Sequence, residues 1–71
     1  MSPEKLAYMA NQIGKFFAHQ PHDKAVASIN EHLHKFWDPR MRNTIIAHLS
    51  EVQLDPPVRK AVEQLRESRN N

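Results

Sequence analysis

The sequence predicts an all-α protein, a small bundle of three helices plus a shorter C-terminal fourth. Apolar residues recur at helical spacing in four separate segments. Three of those segments open on a capping side chain followed by proline, at Ser2-Pro3, Asp38-Pro39 and Asp55-Pro56. There is one glycine in 71 residues, and β-branched residues are few and scattered, a composition that argues against strands. A chain of this length holds one domain at most, so residues 1–71 are read as a single helical domain.

The first helix starts at Pro3, with Ser2 as cap and Glu4 in the first turn. Its apolar residues Leu6, Met9, Ala10, Ile13, Phe16 and Phe17 fill a sector about 120° wide, which carries the helix to about residue 18. Gly14 lies within it and costs about 1 kcal/mol relative to alanine, so a close approach of another element inside the domain is expected there. "HQPHD" breaks the chain, because Pro21 disfavours helix at the residue before it.

The second helix spans about residues 23–36, with Val26, Ile29, Leu33, Phe36 and Trp37 inside about 100° of arc. The third spans about 39–49, capped by Asp38, with Met41, Ile45, Ile46 and Leu49 on its apolar side. The fourth, about 56–67, repeats the Asp-Pro start and places Val58, Ala61, Val62 and Leu65 at i, i+3, i+4 and i+7. Arg66 and Arg69 fall near its C-terminal end, where the helix dipole favours cations, and "SRNN" is expected to fray.

Such a small chain needs support from disulfides, a metal, a partner or regular helix packing. With no cysteine, disulfides and thiolate metal sites are excluded, leaving helix packing and a partner. Net charge is +2, from ten Lys plus Arg and eight Asp plus Glu, with signs mixed throughout. A nucleic-acid binder concentrates its charge on one face, so no nucleic-acid partner is expected. No apolar run approaches a membrane span, and the first residues carry no secretory pattern; the expectation is a soluble cytoplasmic protein.

Five histidines, His19, His22, His32, His34 and His48, raise the question of a metal. His32 and His34 point about 200° apart on a helix, and His19 and His22 lack a third ligand, so no metal site is expected. No serine sits in a nucleophile elbow, a lone glycine makes no phosphate loop, and no acid pair stands in a recognisable catalytic arrangement. The chain is therefore expected to be non-catalytic, with no cofactor of its own.

Surface chemistry is more informative. On the first helix Tyr8, Asn11, Gln12 and Lys15 group away from the apolar sector, as an interface or as an ordinary solvated face. In "FWDPRMR", residues 36–42, two arginines occupy the positive end of a helix, each placement costing about 0.3–1 kcal/mol when exposed. With Met41 at zero, Arg42 falls at about 100°, between Leu49 and Ile46, while Arg40 falls at about 260°. Arg42 should therefore pack its stem on apolar groups and needs an acid or carbonyl for its head, either inside the chain or on a partner. Arg40 should face outward.

"YMANQIGKFF", the helix ending "HLHKFW" and "DPRMR" running into "IIAHL" closely resemble the delta subunit of molybdenum-containing, NAD-dependent formate dehydrogenases, over about residues 5–49. The resemblance implies a soluble cytoplasmic complex that oxidises formate to carbon dioxide and reduces NAD. Its large subunits would hold a molybdenum bis-pterin guanine dinucleotide centre, iron–sulfur clusters and FMN. This chain would hold no redox centre, and would dock on the catalytic alpha subunit, beside beta and gamma subunits, in assembly, stabilisation or maturation. Two other readings stand beside it: a transient cofactor-insertion chaperone absent from the mature enzyme, and a small helical DNA-binding module. Carried over by residue, the expected partner-binding set is Tyr8, Asn11, Gln12, Trp37, Arg40 and Arg42.

Overall fold

The structure, a computed structural model, describes residues 1–69, excluding the side chain of Arg69. It contains four helices and, among the described residues, no strand: α1 (Pro3–Phe16), α2 (His22–Phe36), α3 (Pro39–Ala47) and α4 (Pro56–Arg69). The short helix is the third, at 9 residues, whereas α4 has 14. This corrects the expectation of a shorter fourth. The apolar period of α4 ends at Leu65, but no breaker intervenes before Arg69 and the helix continues to it. Of the residues 68–71 expected to fray, Ser68 and Arg69 are still helical, and Asn70 and Asn71 lie outside the described residues.

Capping chemistry sets most of the ends. Ser2 Oγ accepts from Lys5 N at 3.1 Å and Asp38 Oδ1 from Met41 N at 2.9 Å. α1 stops at Phe16 rather than 18, because Phe17 N is shared between Ile13 and Gly14 carbonyls and Ala18 N bonds Lys15, tightening the last turn. α2 begins at His22 because the Pro21 carbonyl already accepts from Ala25 N at 2.8 Å. α3 stops at Ala47, two residues short of expectation. Residues 48–52 wind into turns in which His48 O accepts from both Glu51 and Val52.

One contiguous core joins all four helices. It includes Leu6, Ala10, Val26, Ile29, Leu33, Trp37, Ile45, Ile46, Val58, Ala61, Val62 and Leu65. α2 and α4 form the most extensive pairing, and Asn30 Nδ2 ties them by donating to Ala61 O at 3.1 Å.

Two phenylalanines placed in the core by periodicity lie outside it: Phe16 is 74% exposed and Phe36 70%. On α1 the buried residues are Leu6, Ala7, Ala10 and Gly14. Their sector is displaced by about 70° from the one that the large side chains suggest. Helices approach most closely over small residues, so Ala7, Ala10 and Gly14 face the neighbours and Phe16 turns out. Phe36 has the angle of a buried residue, but its ring meets that of the partly exposed His32. Trp37 closes this end instead: it leaves helical backbone (φ −89°, ψ 136°) and turns inward.

Candidate docking surface

Of the six residues expected to meet a partner, three are used within the chain. Trp37 is 5% exposed and belongs to the core. Asn11 Nδ2 donates to Gln53 O at 3.1 Å, and Asn11 Oδ1 accepts from Asp55 N at 3.0 Å. Asn11 thus satisfies the loop between α3 and α4, a role that its position opposite the large apolar residues concealed. The pair of bonds predicts that Asn11→Ala costs about 1–2 kcal/mol. Gln12→Ala, at an exposed neighbour, should stay within about 0.5 kcal/mol. Urea titration of the two variants checks this.

Arg42 answers the puzzle of charge at a helix start. Its Nη1 donates to the carbonyls of Leu33 and His34, each at 3.2 Å, and of Trp37. These belong to the end of α2, the negative pole of the helix, where Leu33 O also accepts from Trp37 N at 3.2 Å. The guanidinium near the start of α3 therefore serves as the C-terminal cap of α2, the internal alternative, with carbonyls rather than an acid as partner.

The same device recurs at Arg59, which sequence reasoning missed. Arg59 Nη1 donates to Leu49 O at 3.0 Å and Nη2 to Val52 O at 2.9 Å, closing the turn after α3. The signal was present: "DPRMR" and "DPPVR" share aspartate, proline and an arginine four places after the aspartate. In both, the first helical bond runs from that arginine N to the aspartate carbonyl, at 3.1 Å for Arg42 and 2.9 Å for Arg59. Each arginine thus opens its own helix and reaches back over the preceding chain end.

Tyr8, Gln12 and Arg40 remain exposed, Tyr8 by 64%. Arg40 stands apart from the other two. It lines a groove with Met1, Leu6, Asp38, Met41 and Thr44, whereas Tyr8 lines one with Glu4, Ala7, Asn11, Glu51, Val52 and Gln53. Tyr8 and Gln12 instead align with Phe16 at i, i+4 and i+8, a stripe about 80° wide on the outer side of α1. Phe16 meets Phe17 edge-on with centroids at 5.1 Å, Phe17 meets His32 at 6.4 Å, and His32 meets Phe36 at 4.6 Å. The stripe therefore runs on across the end of α1 onto α2. The i+4 spacing from Gln12 to Phe16 would have revealed it, had Phe16 not been counted as core.

Two lysines beside this surface are matched within the chain, while Lys5, in the same sector of α1 about one turn before Tyr8, is exposed. Lys15 Nζ lies 3.6 Å from Asp55 Oδ2, and Lys35 Nζ 3.4 Å from Glu31 Oε1. Arg42 and Arg59 are also engaged internally, which withdraws them from any basic face of the kind that grips a phosphate backbone. Among the described residues no three His, Cys, Asp or Glu groups come together to hold a metal ion. No helix there is long and apolar enough to cross a membrane.

A family model described as NADH-dependent formate dehydrogenase delta subunit FdsD matches residues 5–62. No curated protein and no solved structure matches the chain. The family match spans most of the 71 residues, and the chain belongs to the family of formate dehydrogenase delta subunits.

Proposed function

We propose that this member of the delta-subunit family is a non-catalytic subunit of a cytoplasmic, NAD-dependent molybdenum formate dehydrogenase. It docks on the catalytic alpha subunit, in a complex completed by beta and gamma subunits, and stabilises, assembles or matures that complex. The molybdenum bis-pterin guanine dinucleotide centre, the iron–sulfur clusters and FMN belong to those larger subunits; a chain without cysteine offers clusters no thiolate ligand.

The observation that supports docking is the surplus of large exposed aromatics. Tyr8, Phe16 and Phe36 lie outside a core that is complete without them. Aromatic residues are enriched where partners meet, and exposing three of them on so small a chain favours association. Tyr8, Gln12 and Arg40 are the residues of the expected set whose side chains remain outward for a partner.

The large subunits produced with and without this chain test the reading. Formate-dependent NAD reduction and molybdenum per catalytic subunit should both fall severalfold without it. Full activity and full molybdenum content in its absence would remove the claim. Mass analysis of the active complex should find the chain; its absence from active enzyme would make it a transient chaperone instead.

A further inference from the structure

We propose, resting on the subunit reading, that the stripe Tyr8-Gln12-Phe16, continued over Phe17 and His32 to Phe36, seats in an uncharged apolar groove of a larger subunit. α1 is then the helix that enters and α2 supplies the shoulder.

The area selects this occupant. An aromatic side chain offers roughly 150–250 Å², so Tyr8, Phe16 and Phe36 at their observed exposures present roughly 400 Å². That is about the largest apolar patch of a typical monomer. It is half of the roughly 800 Å² per partner in a stable flat interface. A second copy laid against the patch would bury too little. A groove that also grips the flanks of α1 buries the polar rim as well and reaches the needed area, as in recognition of a helix through anchors one turn apart.

Charge sets the chemistry of the groove. Lys15–Asp55 and Glu31–Lys35 are paired within the chain beside the stripe, and the floor beside Phe17 and Phe36 includes the small residues Ala27 and Ser28. A charged partner surface would have to compete with these pairs, whereas an apolar one leaves them at the rim. Gln12, between Tyr8 and Phe16, asks for one amide-compatible donor and acceptor in the groove. The stripe is also held ready before binding. Asn11 and Lys15 fasten the flank of α1 to Gln53 and Asp55, which lowers the ordering cost of association.

The test is recovery of the chain on a tagged catalytic subunit co-produced with the other large subunits. Phe16→Gln/Phe36→Gln should cut recovery by about tenfold or more, and Tyr8→Ser by less. Lys60→Gln, on α4, should recover as wild type. Circular dichroism and melting of the free variants should match wild type, because both phenylalanines are exposed. Recovery of wild type should survive molar salt. Wild-type recovery with undiminished recovery of the double variant overturns the assignment of this face and leaves the subunit reading standing. Loss of wild type at raised salt overturns the apolar groove. A free chain that sediments as a dimer, and as a monomer after the double substitution, makes the occupant a second copy. Failure of wild type itself to co-purify overturns the subunit reading and this inference together.

Discussion

Replacing Arg42 by alanine should lower the stability of the chain by about 2–3 kcal/mol. The side chain reaches three carbonyls at the end of α2, those of Leu33, His34 and Trp37. A hydrogen bond to a charged group contributes about 1.5–3 kcal/mol net, and the bonds of one guanidinium do not add in full. Against this stands the misplacement near the start of α3, about 0.3–1 kcal/mol, which the substitution relieves. Attraction to carbonyls in a half-buried setting therefore wins over repulsion from the dipole of α3. For a chain of this length total stability is roughly 4–11 kcal/mol, so the loss is a substantial fraction of it. The melting temperature should fall by roughly 10–20 °C. Arg42→Lys should recover only part. All three carbonyls face the one nitrogen Nη1, and an ammonium has donors enough, but it is a more strongly hydrated head on a flexible stem and loses more freedom on being fixed there. Arg59→Ala, which frees two carbonyls, should cost less than Arg42→Ala. Arg40→Gln should stay within about 0.5 kcal/mol, its side chain being exposed. Denaturant midpoints at constant m-value give all four numbers. An Arg42→Ala midpoint indistinguishable from that of Arg40→Gln would mean that the cap is not formed.

These arginines mark the boundary between what local rules reveal and what they do not. The starts of α1, α3 and α4 were legible because a cap and a proline act within one turn. The split between an inward Arg42 and an outward Arg40 was legible too, because it follows from about 100° per residue alone. The acceptors of Arg42 were not legible: they lie five to nine residues back, and the angle between α2 and α3 brings them together around one nitrogen. The same limit hid the bonds of Asn11 to residues more than forty positions away. Periodicity erred in a more specific way at Phe16. Counting large apolar side chains finds the greasiest side of a helix, whereas burial goes to the side where a neighbour can come closest. On α1 that is the side of Ala7, Ala10 and Gly14. Phe36 shows that an angle says which way a residue points, not whether anything lies opposite. Both errors removed aromatics from the surface in the sequence reading, so the candidate site was found from its polar members, Tyr8 and Gln12, without its apolar ones.

Gly14→Val should cost about 3 kcal/mol or more, and the reason is space rather than backbone freedom. Among the described residues none, Gly14 included, has positive φ, so Gly14 adopts a conformation open to any L-residue. A Cβ built there, however, would lie 2.5 Å from Val58 Cγ2 and 3.8 Å from Ile29 Cδ1. Val58 and Ile29 are fully buried, and a helical valine has one strongly preferred rotamer, so the methyl cannot swing aside. Two terms then oppose each other in Gly14→Ala: about 1 kcal/mol of helix propensity gained and about 1–3 kcal/mol of overpacking lost. Overpacking should win, because the obstacle is a stiff side chain in a closed core. Val58→Ala removes the obstacle and alone costs about 1–2 kcal/mol for the lost methyls. In the double variant the new methyl occupies the vacated room and the propensity gain is released. The pair should therefore be more stable than the two single effects predict, by about 1–3 kcal/mol of coupling. A Gly14→Ala chain about 1 kcal/mol more stable than wild type would show that the glycine is a mere weakness in α1. The same contact bears on docking. The depth at which α1 sits on α4 sets how far Tyr8 and Phe16 stand out, so Gly14→Ala should weaken recovery on the catalytic subunit, and Val58→Ala beside it should restore it.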